Sequence, residues 1–144
     1  MRINGEWLLF DDGVARPVIR GGMLTVDGSW QAAEFLVDTG ADRTVFSAST
    51  LSKLGLLSVV SQERIGGLGG LADSVVAETQ IRLAREAAQP AVFRGEFAAV
   101  TEVDALDTNV LGRDISGLFA VIVDQPGDVV CMLGQRHRYT IGQI

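Results

Sequence analysis

The sequence predicts an all-β domain, and three observations carry that expectation. Glycines and Asp-Gly pairs punctuate the chain roughly every ten to fifteen residues. The runs between them are short and rich in Val, Ile, Leu and Phe, and helix signals are confined to two brief stretches. Strands are expected over residues 6–10, 16–25, 30–37, 44–47, 57–65, 74–83, 91–100, 120–124 and 129–133. Asp27-Gly28 between two apolar runs is a tight hairpin turn, and Gln125-Pro126-Gly127-Asp128 sets Pro and then Gly where a reverse turn takes them. A short helix is expected over 47–54, capped by Ser47 or Ser49 and stopped at Gly55. A second is expected over 114–119, with Asp114 in the capping position. Residues 1–15 read as an additional hairpin or arm, and residues 120–144 as a C-terminal hairpin and tail of the same single domain spanning 1–144.

Length and composition bound the function. A chain of 144 residues and 15.3 kDa can bury a core without metals or disulfides. Its 47% hydrophobic content is far from that of disordered chains. A net charge of −6 opposes a broad grip on nucleic acid or anionic lipid, and the densest cationic spot, Arg136-His137-Arg138, is small. Cys131, the single cysteine, sits in the apolar run Val129-Val130-Cys131-Met132-Leu133 and is expected to be buried and structural. The longest apolar run, Leu118 to Val123, is too short to cross a bilayer, and no basic segment leads into an apolar stretch at the N-terminus. A cytoplasmic location with no membrane and no nucleic-acid partner is the expectation. One His and one Cys offer neither a zinc cluster nor a Cys-His pair, so no metal or cofactor is expected.

Three segments carry chemistry. Phe35-Leu36-Val37-Asp38-Thr39-Gly40-Ala41 delivers an acid from an apolar strand into a turn of small residues. Burying a carboxylate is costly unless it is paired, neutralised or hydrogen-bonded, so this placement calls for a functional reason. Thr39 brings a hydroxyl, and Gly40 lets backbone N–H groups approach the carboxylate. Taken alone, the triplet also suits a turn that closes a strand. Arg64-Ile65-Gly66-Gly67-Leu68-Gly69-Gly70-Leu71 sets four glycines around one Leu between two strand-like runs, which reads as a mobile hairpin tip. It lacks the Lys-Ser/Thr of a phosphate loop. Asn109-Val110-Leu111-Gly112-Arg113-Asp114 ends an apolar strand with Gly and then presents an Arg beside an Asp, a pattern that by itself suits a surface ion pair.

As an ordered set, these segments resemble the retroviral-type aspartic proteases, the retropepsin-like family. There an Asp-Thr-Gly-Ala loop, a Gly-rich flap and a hydrophobic-hydrophobic-Gly-Arg-Asp/Asn motif follow one another. The resemblance covers about residues 16–119 and includes Arg16-Pro17-Val18 ahead of the first hairpin. It implies a closed β-barrel of the acid-protease type with a flap hairpin and one or two short helices. Asp38 would then be the catalytic acid/base, with Thr39 and Gly40 holding the loop across a dimer interface. Leu68 would tip the flap. Gly40, Ala41, Asp42, Ile65, Gly66, Gly67 and Val110 would meet a peptide bound as an extended strand, and Arg113 would pair with Asp42 to brace the loop.

Amide hydrolysis through an activated water needs one carboxylate to take a proton and another to give one. Two adjacent carboxylates share a single proton and so supply both roles. The chain has one Asp-Thr/Ser-Gly triplet, since Asp107-Thr108-Asn109 lacks the glycine. The expected partner is therefore a second identical chain, and the expected activity is that of an aspartic endopeptidase working as a homodimer. The alternative is a peptide-binding or dimerisation module that keeps the fold without turnover. Beyond residue 119 the chain departs from the retroviral pattern, leaving open whether the longer C-terminus replaces the intersubunit sheet, reinforces it or caps the cleft.

Overall fold

The computed structural model describes residues 1–56, 58–67, 70–134, 140 and 142, with side chains described outside 58–72. Chain order is β1 (Arg2–Asn4), β2 (Glu6–Leu9), β3 (Ala15–Leu24), β4 (Trp30–Val37), β5 (Val45–Phe46), α1 (Ala48–Leu54), β6 (Ser58–Gly67) and β7 (Gly70–Leu83). It continues with β8 (Ala91–Val100), a 3-10 turn at Val103–Ala105, β9 (Asn109–Leu111), α2 (Arg113–Ser116), β10 (Ala120–Asp124) and β11 (Val129–Leu133). The all-β expectation agrees with this, short helices included. Leu57, Leu68 and the Arg136-His137-Arg138 cluster lie outside the described residues.

Strands β3, β4, β9, β5, β8 and β7 are neighbours in that order, and β7 returns to β3 through Gly21↔Leu83, Gly22↔Arg82 and Met23↔Ile81. The sheet thus closes on itself into a barrel, which satisfies strands that would otherwise be edges. Inside it lie Ile19, Met23, Phe35, Phe46, Ile81, Leu83 and Leu111, all fully buried. The Phe46 and Phe97 rings lie 5.5 Å apart. β2 and β6 extend the sheet beyond the ring, beside β3 and β7.

Local chemistry sets the turns. The β3–β4 hairpin reverses at Asp27-Gly28, where Gly28 takes φ 85° and Thr25 N–H donates to the Ser29 carbonyl (2.9 Å). The Asp27 carboxylate accepts from the Ser29 hydroxyl (2.6 Å), the Ser29 N–H (3.0 Å) and the Thr25 hydroxyl. In α1 the Ser47 hydroxyl accepts from Thr50 N–H, and Gly55 ends the helix at φ 65°, so both expected caps are in place. The Leu54 carbonyl also accepts from Val26 N–H (2.9 Å), tying the helix end to the hairpin tip.

Residues 1–15, expected as an additional hairpin or arm, run as an arm along two sheets: β1 pairs with β11 through Ile3↔Met132, while β2 pairs with β3. Ile3 is fully buried in the main core, and Gly5 N–H donates to Val130 O (2.7 Å) as the chain passes between sheets. The second helix is only Arg113–Ser116, with Gly112 rather than Asp114 at its cap position. The Asp114 carboxylate is committed to Thr44 instead (N–H at 2.9 Å, hydroxyl at 2.7 Å). Strands β1, β11 and β10 form a separate three-stranded sheet. Among the described residues no helix is long and apolar enough to cross a membrane.

Two outcomes test these assignments. Ser47→Ala should cost about 1 kcal/mol in urea unfolding, the usual loss for an N-cap, and an unchanged midpoint would contradict the cap. Hydrogen bonds from Ser29 and then Thr25 hold the Asp27 carboxyl at about 2, below the ordinary 3.8. Its stabilisation is therefore present above pH 3.8 and lost as pH falls through about 2. Thermal melts between pH 4 and pH 2 should fall more steeply for wild type than for Asp27→Asn; equal slopes would show that the bonds contribute nothing.

Candidate active site

The end of β4 positions Asp38. β4 runs parallel to β9, with Phe35↔Asn109, Leu36↔Val110 and Val37↔Leu111 in register, and Asp38 N–H donates to the Leu111 carbonyl (3.2 Å). The chain then turns sharply, with Ala41 N–H donating to the Asp38 carbonyl (3.2 Å). In that turn the Gly40 N–H donates to Asp38 Oδ1 (2.9 Å), fixing the rotamer of a half-buried carboxylate. Thr39, Gly40 and Asp42 are exposed and Ala41 is half-buried.

The end of β9 holds this loop from the other side. A Cβ on Gly112 would overlap the Arg43 backbone, so the two segments touch main chain to main chain. Arg113 N–H donates to the Ala41 carbonyl (2.8 Å). Its guanidinium donates through Nη1 to the Thr39 carbonyl (2.7 Å) and through Nη2 to Asp42 Oδ1. Arg113 and Asp42 are 49% and 81% exposed, so the ion pair by itself is worth about 0–1 kcal/mol. The fork's contribution is geometric, since one planar group fixes a carbonyl and a carboxylate of the same loop.

Beneath the loop lies a polar network that the sequence analysis missed. Thr44 is fully buried; its hydroxyl donates to Asp114 Oδ1 (2.7 Å) and accepts from Gly112 N–H (3.1 Å). Buried Asn109 accepts from Ser47 N–H (2.9 Å) and donates to the Glu34 carbonyl (3.1 Å), stitching β9 to α1 and β4. The readable signal was small polar residues flanking both motif segments, which cannot be buried without partners. Asp114 was read as a helix cap because only local pairing is visible in a sequence.

The remaining expected site residues are placed as follows. Val110 is buried in a small apolar cluster with Val45, Ala98 and Val100, against which Ala41 packs. Ile65, Gly66 and Gly67 lie on β6, opposite Ala72, Leu71 and Gly70 of β7, so the Gly-rich segment is a hairpin. Leu68, expected to tip the flap, lies outside the described residues. A cavity of about 340 Å³ between the loop and strands β7 and β8 is lined by Arg43, Ser74, Val75, Glu96, Phe97 and Asp114, among others. Among the described residues no group of three or more His, Cys, Asp or Glu could hold a metal ion.

Gly112→Ala should destabilise the fold by about 1–3 kcal/mol or more through overpacking against immobile backbone, read by urea unfolding. A neutral result would mean that the two segments are free to separate. Asn109→Leu leaves the buried Ser47 N–H and Glu34 carbonyl without Asn109 and should cost about 1–3 kcal/mol per group. A smaller loss than that of Ser47→Ala would remove Asn109 from the supporting network.

The geometry has counterparts among known proteins. A family model described as "Aspartyl protease" matches residues 23–115, well over half of the chain. No curated protein sequence matches it. Among solved structures, the EIAV protease complexed with the inhibitor HBY-793 is similar over 71% of this chain and 86% of that one, at 22% identity and a TM-score of 0.51. A retropepsin-like aspartic protease from Rickettsia conorii is similar over 92% and 87%, at 16% identity and a TM-score of 0.49. The structural likeness to the EIAV protease supports a retropepsin-like barrel. The matched segment contains the Asp38 loop, the Gly-rich hairpin and the Gly112-Arg113 brace, and the chain belongs to the aspartyl protease family.

Proposed function

We propose that the chain is an aspartic endopeptidase that works as a homodimer, with Asp38 of each copy supplying one of two facing carboxylates. The observation that carries this reading is the Asp38 carboxylate itself. It stands at the end of a barrel strand, is oriented by the Gly40 N–H, and sits in a loop braced by Arg113 yet accessible to water. One such carboxylate performs half of the chemistry. The pair shares one proton: the ionised member takes a proton from a water between them, and the protonated member donates to the scissile carbonyl oxygen as the water oxygen adds to the carbon. As the resulting diol collapses, the newly protonated carboxyl donates to the leaving nitrogen while the other carboxylate takes a proton from a diol hydroxyl, which breaks the C–N bond and restores the shared-proton state.

The substrate in this reading is a peptide in extended form. Gly40, Ala41 and Asp42 would contact it from the floor, and the β6–β7 hairpin, through Ile65, Gly66, Gly67 and Leu68, would cover it by backbone hydrogen bonding. Val110 would line an apolar side-chain pocket.

The test is cleavage of a diverse peptide library from pH 4 to 7. Asp38→Asn should lower kcat/KM at least about 10³-fold, in the range of a lost general acid–base group, with the melting temperature held. A statine-type mimic should inhibit the wild type. Cleavage that persists in Asp38→Asn would sink the assignment, and a confirmed dimer with no Asp38-dependent cleavage would favour the peptide-binding module. Arg113→Lys keeps the charge but loses the fork, and should lower activity far more than it lowers unfolding stability. Parallel losses in both would make Arg113 merely structural.

A further inference from the structure

We propose that the cavity between the Asp38 loop and strands β7 and β8 takes a Lys or Arg side chain of the bound peptide. The substrate then carries a basic residue at one fixed position relative to the scissile bond. The inference rests on the reading of the Asp38 loop as the floor of a peptide cleft, and it adds a substrate class to that reading.

The cavity, of about 340 Å³, has the candidate site on two sides. One wall is formed by Arg43, the residue after Asp42, and by Asp114, the residue after Arg113. The other is formed by β8 and by β7, the strand that descends from the Gly-rich hairpin. Ala98 in this wall also belongs to the apolar cluster of Val45, Val100 and Val110 against which Ala41 packs. The cavity and the expected apolar pocket therefore share a wall, and a side chain leaving an extended peptide on the loop can enter the cavity.

Its chemistry selects a cation on an apolar stem. Val76 and Ala98 face one another across β7 and β8, and buried Phe97 lines the cavity beside them. In the next register Glu78 stands directly opposite Glu96, and strand alternation puts both carboxylates on the face that carries Val76 and Ala98. Like charges so opposed weaken a sheet. Among the described residues neither has a counter-ion, and Arg94, one register further on opposite Gln80, pairs with neither. The other two charges of the lining are engaged. Asp114 accepts from the Thr44 N–H (2.9 Å) and hydroxyl (2.7 Å) and from Ile115 N–H (2.9 Å), and Arg43 has an interaction of its own. Glu96 is left to meet a ligand, and a cation placed between it and Glu78 relieves their repulsion. Arg43 repels that cation from the loop end, so the charged head settles at Glu96 while its stem covers Val76, Phe97 and Ala98. The chain's net charge of −6 also draws basic peptides to it at low salt.

The test uses pools of labelled octapeptides, random over uncharged residues except for one position fixed as Lys, norleucine or Glu. Cleavage by the wild type is read by mass spectrometry, so that positions are counted from the scissile bond, and binding to Asp38→Asn is read by fluorescence anisotropy. At one position Lys should be favoured over norleucine about 5-fold, the upper end for an exposed ion pair, and the preference should shrink as salt is raised. Glu96→Gln should abolish the preference, Glu96→Lys should turn it toward Glu, and Glu78→Gln should reduce it, with circular dichroism and melting temperature held in all three. No preference for Lys at any position, a preference of the wild type for Glu, or a Lys preference that survives Glu96→Gln would each overturn the pocket. A Glu96-dependent preference for Lys in binding, without Asp38-dependent cleavage, leaves the pocket standing and sinks the peptidase reading. Asp38-dependent cleavage with no Glu96-dependent preference sinks the pocket alone.

Discussion

The main-chain contact between Gly112 and Arg43 is the constraint on which the rest of this structure depends. It lets β9 lie parallel to β4 while its end crosses beneath the loop that follows β4. Once the two segments touch, Thr44 and Asp114 are forced into reach of one another, the Ala41 carbonyl meets Arg113 N–H, and the guanidinium falls on Thr39 and Asp42. A side chain at position 112 would overlap the Arg43 backbone and force the two segments apart.

What holds the loop is backbone geometry more than charge. The visible ion pair is exposed and contributes little free energy on its own. The hydrogen bonds at Leu111, Ala41, Gly40 and Thr44 fix both ends of a short segment, and they remove the rotamer freedom of Asp38 before any ligand is present. In the proposed reading this preset carboxylate is half of a dyad whose other half is met only by assembly, which links activity to protein concentration.

Much of this was legible in the sequence, and the illegible part has a common physical cause. Asp38-Thr39-Gly40 was readable because an acid leaving an apolar strand is expensive, and Ser47 and Gly55 because caps are local. The β6–β7 hairpin was readable from its glycines. Hidden were contacts between residues far apart in the chain: the closing pair of β3 with β7, the three-residue β1 that reaches across to β11, and the buried partners of Thr44 and Asn109. Asp114 illustrates the difference, since beside Arg113 it looks like a helix cap, and only the fold brings Thr44 to it from 70 residues away. Alternating hydrophobicity tells which face of a strand is buried, while the neighbour of that strand is decided by the closure of the barrel.

The central claim is that each active site contains one Asp38 from each of two chains, and subunit mixing tests it most directly. Wild type and Asp38→Asn are unfolded together, refolded at fixed total concentration in varied ratio, and assayed for peptide cleavage. If both carboxylates are required, activity follows the square of the wild-type fraction, so an equal mixture retains about a quarter of the full rate. A rate that falls in direct proportion to the wild-type fraction, leaving about half in the equal mixture, would mean that each chain acts alone and would contradict the account.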